Sequence, residues 1–280
     1  MKQLVVTADD FGAAVVVNAA VERAHAEGVL SAASLMVGGP AAADAVDRAR
    51  RIPSLKVGLH LVLVEGSPLS DPVAVAGLVD AAGAFRTDMV RLGVDIFFRP
   101  AVRRQLAKEI EAQFQAFAAT GLPLDHVNAH KHFHVHPTVA GLILRIGRRY
   151  GMTALRVPVE PRAVLRAIEP QGGRGGFDMV GPWAGRIRRR AARVGVRTPD
   201  QVFGLQWSGA MTRDRLAGVL RRLPEGLSEI YLHPALADSY PGSAPGYRYV
   251  EEFEGLIDPG VASALAGSGA ALGGFGDLGR

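Results

Sequence analysis

Five of the eight histidines in this 280-residue chain fall in one run, His126-Val127-Asn128-Ala129-His130-Lys131-His132-Phe133-His134-Val135-His136. Imidazole is the commonest metal-binding side chain, and so dense a set at a strand end is poorly explained by packing. Not all five can bind one ion. His130, His132 and His134 alternate and would share a face if extended, so one is free to ligate while others hold substrate or support the ligands. Thr7-Ala8-Asp9-Asp10-Phe11-Gly12 sets two adjacent carboxylates where an apolar strand gives way to a turn. Neighbouring strand residues point to opposite faces, so both carboxylates serve one site only if the chain turns there, which Gly12 makes easy. The competing use is an Asp cap on a helix beginning near Ala13. Gly58-Leu59-His60-Leu61 puts a single His in a run that reads as a buried strand. Tyr231-Leu232-His233-Pro234 ends another strand, with Pro234 biasing His233 to extended backbone. The chain has no cysteine, so any metal must be held by His, Asp or Glu, and neither a thiolate nucleophile nor a disulfide framework is available.

These residues need a scaffold that brings distant segments together. Short β-branched runs alternate with longer stretches of helical period, the pattern of parallel strands joined by crossover helices. Strands are expected at Gln3–Ala8, Leu30–Val37, Leu55–Val62, Asp125–Ala129, Ala154–Val157, Val202–Gln206 and Ser228–Leu232. Helices are expected at Ala14–Glu27, Ala41–Arg51, Ala101–Thr120, Thr138–Tyr150, Trp183–Val194, Arg213–Arg222 and Glu251–Leu256. Asp9-Asp10, His60, His130 and His233 then all sit at strand ends. Ligands from strands so far apart in sequence converge most easily on the C-terminal rim of a barrel, so the expected fold is α/β, an irregular TIM-barrel-like (β/α) barrel in a single domain spanning residues 1–280. Glu65–Arg99 and the Gly-rich Pro170–Pro182 interrupt the rhythm as candidate lids or binding loops. The Gly/Ala-rich stretch 260–280 is expected to be loosely held, with Phe275 as its one anchor.

Hydrophobic residues make up 48% and charged residues 21% of the chain, enough apolar material for one large core. No apolar run approaches the roughly 18 residues of a membrane span, and no export signal opens the chain, so a cytoplasmic location is expected. The net charge of +5 is carried mostly by arginine and is concentrated in Arg186–Arg193. If helical, that run is a solvated face or a contact for an anionic membrane surface or nucleic acid.

Taken together, the motifs resemble those of the YdjC-like carbohydrate deacetylases. Ala8-Asp9-Asp10-Phe11-Gly12 is similar to that family's opening motif, Gly58-Leu59-His60-Leu61 to its second and His126 to His134 to its third. Leu155-Arg156-Val157 and Leu232-His233-Pro234 fall where the shorter later motifs belong. The resemblance implies that Asp10, His60 and His130 bind one divalent metal ion, with Asp9 as general base and His233 as catalytic acid or charge stabiliser. Asn128, His132, His134 and Arg156 are expected to contact the substrate. Asn128 stands where many members have Asp, which removes a carboxylate near the site. The wording from Gly121 to Pro137 is most similar to a branch associated with hopanoid biosynthesis, implying an N-acetylated amino sugar on a lipid anchor, met peripherally at the inner membrane surface.

Two imidazoles and one carboxylate leave coordination positions open, as a catalytic site requires. The resemblance implies magnesium, whereas nitrogen ligands suit zinc, cobalt or manganese. The same constellation would serve a metal-dependent phosphoesterase, although no Gly-rich phosphate loop supports it. A non-catalytic membrane- or nucleic-acid-binding module built on Arg186–Arg193 leaves the separated Asp and His motifs unexplained, so no nucleic-acid partner is expected. A homo-oligomer is compatible with the sequence.

Overall fold

The computed structural model describes residues 1–170 and 181–277. Seven strands, β1 (Lys2–Phe11), β2 (Ala32–Leu35), β3 (Lys56–Leu61), β4 (Val127–Ala129), β5 (Gln201–Phe203), β6 (Gly226–Leu232) and β7 (Ala271–Leu272), form one parallel sheet. Their order is β4-β3-β2-β1-β6-β5, with β7 pairing the first residues of β1 at Gln3 and Leu4 before β2 joins the ladder at Thr7. Around it pack α1 (Val15–Glu27), α2 (Ala42–Arg51), α3 (Met89–Phe98), α4 (Pro100–Ala119), α5 (Pro137–Gly147), α6 (Arg162–Ile168), α7 (Gly181–Arg193), α8 (Arg213–Leu220), α9 (Tyr249–Ile257) and α10 (Pro259–Ser268). The result is a single-domain α/β fold whose sheet curls into a half-barrel.

The curl differs from a complete barrel at one seam. The strand expected at Ala154–Val157 makes single bridges, Leu155 to Val127 and Ala154 to Arg197, and the ladder does not close from β4 to β5. Pro158 and Pro161 follow immediately, and a residue without an N–H cannot continue a ladder. Val202 N–H still donates to Val159 O at 2.8 Å, so the 154–159 segment spans the seam without regular pairing.

Side-chain alternation sorts the sheet into two faces. On β1, Leu4, Val6 and Ala8 join the large core beneath the helices, whereas Val5 joins a small cluster of Ala32, Ala154, Leu227 and Phe275. Thr7 and Asp9 continue the Val5 face, and both are buried. The inside of the curl is therefore apolar near the strand starts and polar toward their carboxyl ends.

Several expectations change. Glu65–Arg99 is not irregular throughout: it holds a 3-10 turn at Pro72–Val75 and α3, each started by an Asp cap, Asp71 onto Val73 N–H and Asp88 onto Arg91 N–H. Residues 171–180, within the expected Pro170–Pro182 loop, lie outside the described residues. The stretch after Gly260 contains most of α10, capped by Asp258, and then β7. Phe275 is 1% exposed inside the curl, where Asp125 Oδ2 accepts its N–H at 3.2 Å. Phe275→Ala should lower the unfolding free energy by about 3 kcal/mol or more in urea denaturation, the usual cost of emptying an aromatic site, whereas exposed Val73→Ala should leave it within roughly 0.5 kcal/mol.

Candidate active site

The opening carboxylates owe their convergence to a backbone irregularity. The β1–β2 register shifts between Ala8 and Phe11, and Asp10 takes φ 60°, a left-handed conformation that Asp tolerates better than most residues. Gly12 follows at φ 99° with Met36 O only 3.0 Å from where a Cβ would stand, and Asn18 Oδ1 accepts its N–H. Neither Asp caps α1, whose N-cap, Ala14, makes no side-chain bond. Both carboxylates face one place instead.

There Asp10 Oδ1 lies 3.2 Å from His60 Nε2 and 3.2 Å from His130 Nδ1, and the two imidazole nitrogens are 3.5 Å apart. These three atoms are close enough to hold one metal ion. His60 comes from β3, which pairs with β4 so that His60 stands beside Asn128, and His130 follows β4 directly. The donor set fits a divalent cation, with one anionic oxygen and two imidazoles. His60 Nδ1 is engaged with Asn128 Oδ1 at 2.7 Å, which leaves its Nε2 facing Asp10 and His130. Burial disfavours both charged forms, yet the His130 and His60 contacts hold the Asp10 carboxyl well below the carboxylate range, and Asp10 raises His130.

Asp9 stands beside this trio and is bound from below. Arg156 Nη1 donates to Asp9 Oδ2 at 2.5 Å and Nη2 to Oδ1 at 2.9 Å, while Asn128 Nδ2 donates to Oδ1 at 3.0 Å. Burial alone would raise the Asp9 carboxyl, but the charges of Arg156, His60 and His233 hold it well below the usual range. Arg156 is 0% exposed and reaches Glu229 Oε1 through Nε at 3.0 Å and Nη2 at 2.7 Å. The residue expected to touch substrate is thus the buried counter-charge of two carboxylates.

The remaining histidines divide their duties. The extended His130–His134 face does not form, because residues 130–135 make a 3-10 turn with Lys131 and His132 at φ 51° and 53°. His132 Nε2 meets the Tyr231 hydroxyl at 2.9 Å, and His134 Nε2–H donates to Arg156 O at 2.9 Å. Burial pushes His132 well below the normal imidazole range and His134 down to about 3, so both are neutral spacers in the curl. Asn128 is likewise 0% exposed. His233 is half-buried at the end of β6 between the rings of Tyr231 and Tyr247, its N–H on Glu252 and its Nδ1 buried with no hydrogen-bond partner. Ser34, Glu229, Glu252 and Tyr247 were not anticipated; only Glu229, a carboxylate inside an otherwise strand-like run, carries a local signal.

Asp10 and His130 open onto a cleft of about 250 Å³ that includes Met36, Val62, Leu69 and Tyr240. Its wall is held from α4: buried Glu109 accepts Leu69 and Ser70 N–H, and Gln113 brackets Val62 through its N–H and C=O. Fold and site together define a parallel α/β protein with a two-histidine, one-carboxylate cluster at the carboxyl ends of its strands. The chain belongs to the YdjC-like protein family, whose model matches residues 3–267. It is 31% identical over 272 residues to a carbohydrate deacetylase of Geobacillus stearothermophilus, covering 96% of this chain and 94% of that one. A Brevibacillus brevis protein of the same description is 40% identical over 157 residues, 56% of this chain and 58% of the relative. A proposed cellobiose-phosphate cleavage protein of Enterococcus faecalis V583 superposes with a TM-score of 0.79 at 25% identity, covering 100% of this chain and 99% of that structure.

Arg156→Met should destabilise the fold by about 3–5 kcal/mol, since it strands buried Asp9 and Glu229 without their cation. Chemical denaturation checks this, and wild-type stability in the variant would show that the pair is not needed.

Proposed function

We propose that the protein is a metal-dependent hydrolase that removes the acetyl group from an N-acetylated amino sugar. The observation that carries this reading is the convergence of Asp10, His60 and His130 beside Asp9, in a chain whose family relatives are described as carbohydrate deacetylases. Charge supports it: Arg156 pairs with Asp9 and Glu229, and Asp10 adds a third carboxylate against His60 and His130, so with neutral imidazoles the cluster has a formal deficit that a divalent cation would balance. The cleft, below the roughly 300–1,000 Å³ of ordinary ligand pockets, suits one sugar ring.

An ion held by Asp10, His60 and His130 supplies acidified water and a polarised amide carbonyl. Nitrogen ligands suit zinc, cobalt or manganese, and magnesium is the family expectation. Asp9 takes the proton of the attacking water: Arg156 and Asn128 occupy three of its acceptor positions and leave one on Oδ2. His233 protonates the departing amine or stabilises its charge, with the Tyr231 and Tyr247 rings holding the imidazole. His132, His134, Asn128 and Arg156 support these groups from within the curl.

For the aglycone we infer a hopanoid lipid, on the motif wording from Gly121 to Pro137, with the protein working peripherally at a membrane surface. No helix among the described residues is long and apolar enough to cross a membrane. The Arg186–Arg193 run lies on α7, but Ile187 is 4% exposed in the core and is unavailable to lipid, while Arg186 covers the Trp183 ring. Helix α3 is better suited. Val90, Val94, Phe97 and Phe98 are at least half exposed on it, Arg91 and Arg99 flank them, and His136, beyond the His130 turn, packs on Phe97. An apolar face flanked by two arginines, Arg99 paired with Asp95, fits an anionic lipid surface.

Purified protein should release acetate from an N-acetylated chitobiose-type sugar only when a divalent metal is supplied, and no phosphate from a sugar phosphate. Alanine at Asp10, His60 or His130 should remove both bound metal and turnover. Asp9→Asn and His233→Ala should keep metal while kcat falls by roughly 10²–10⁴. Phosphate release from the sugar phosphate with no acetate released from the N-acetylated sugar would favour the phosphoesterase reading. In flotation with anionic vesicles, Val94→Ser/Phe97→Ser/Phe98→Ser should abolish binding, while Gln at Arg186, Arg188, Arg189 and Arg190 should only weaken it. Equal flotation of both variants and wild type would discard these two surfaces as the contact, and a wild type that does not float would discard the membrane contact altogether.

A further inference from the structure

Ser34 and His126 lie under the cluster and take no part in the chemistry above, yet their hydrogen bonds form one buried chain that ends on His60. Asp125 Oδ2 meets His126 Nδ1 at 2.9 Å, His126 Nε2 meets Ser34 Oγ at 2.9 Å, and Asn128 Nδ2 donates to Ser34 Oγ at 2.8 Å. Asn128 Oδ1 then meets His60 Nδ1 at 2.7 Å. Ser34, His126 and Asn128 are all 0% exposed.

The direction of every bond follows from Asp9. Its carboxylate is bidentate on Arg156 and can only accept, so the amide group facing it must be Asn128 Nδ2. Asn128 Oδ1 is therefore turned to His60 and accepts Nδ1–H, which leaves His60 Nε2, beside Asp10, as the nitrogen that faces a cation. The second amide hydrogen goes to Ser34 Oγ. Ser34 then directs its only hydrogen at His126 Nε2, and His126 carries its own hydrogen on Nδ1, toward Asp125. Asp125 is fixed in turn by the N–H groups of Phe275 at 3.2 Å and Gly276 at 3.0 Å. Two further contacts show that the position of the His126 ring is built in. A Cβ on Gly58 would stand 2.5 Å from that ring, and the Phe275 ring lies 5.0 Å from it on centroids.

We propose that Asp125, His126, Ser34 and Asn128 form a positioning relay, oriented by Asp9 and anchored by residues 275–276, that holds Asn128 Oδ1 against His60 Nδ1 and so sets the affinity of the site for a divalent cation. The proposal rests on the metal-site reading above. Ser34 and His126 are positioning residues, two and three side chains away from any ion. A plain packing role would leave the His60 ring signals and the Co²⁺ affinity unchanged.

The test uses the full chain without metal and then with Co²⁺ alone. Nitrogen-15 NMR of the histidine rings in the metal-free protein should show His60 with hydrogen on Nδ1. Ser34→Ala leaves the Asn128 amide held by Asp9 alone, and should shift the His60 ring signals and weaken Co²⁺ binding roughly 10–100-fold, the usual effect of loosening a partner of a metal-ligating His. Ser34→Thr, which keeps the hydroxyl, should return affinity toward wild type. A wild-type His60 without hydrogen on Nδ1 overturns the relay without any variant. So does a folded Ser34→Ala with unchanged ring signals and unchanged Co²⁺ affinity. Wild type that takes up no Co²⁺ overturns the metal-site reading, and the relay with it.

Discussion

A single guanidinium inside the curl is the constraint on which the site depends. Arg156 is 0% exposed, bound to Asp9 on one side and Glu229 on the other, and covers the Tyr231 ring with its Cζ 4.6 Å from the centroid. Desolvating a cation and two carboxylates is costly unless their geometry and hydrogen bonding are nearly complete. Here Thr7 adds a bond to Glu229 Oε1, and Asn128 adds one to Asp9. The arrangement spans the irregular seam, since Arg156 belongs to the segment between β4 and β5 while its partners come from β1 and β6. The ion network thus ties the unpaired part of the sheet to its centre, and the same bonds fix Asp9 beside the cluster.

Strand alternation explains why the site forms above this network. Val5, Thr7 and Asp9 follow one another up the inner face of β1, and the parallel register sets Ser34 of β2 beside Gly58 of β3 and His60 beside Asn128. Apolar residues fill the strand starts, Phe275 among them, and the polar layer lies above. Only Asp10 departs from the alternation, through its left-handed backbone, and that departure brings a second carboxylate to the same side. Glu109 and Gln113 of α4 then hold the loop after β3 as one wall of the cleft.

What was legible in the sequence follows from range. The apolar runs of β1, β3 and β6 mark the central strands, and each ends on a residue of the site. The Asp9-Asp10 pair was readable because Gly12 announced the turn. The histidine run was legible as a site but not in its internal roles, because left-handed residues at Lys131 and His132 replaced an extended strand with a 3-10 turn. Arg156 read as a substrate contact, since its burial depends on Asp9 and Glu229, 147 and 73 residues away. Ser34 carries no local signal at all: its part is defined by Asn128 and His126, more than ninety positions along the chain. Helices α3 and α10 did carry capping signals in Asp88 and Asp258, hidden by apolar faces that lack a clean helical period.

The chemistry of the site depends on Asp10, His60 and His130 holding one ion. Crystals grown with Mn²⁺ and measured for its anomalous scattering test this most directly. The expected result is a single strong peak within coordination distance of Asp10 Oδ1, His60 Nε2 and His130 Nδ1, with Asp9 still bound to Arg156. A peak on other residues, or no peak at saturating Mn²⁺, would contradict it.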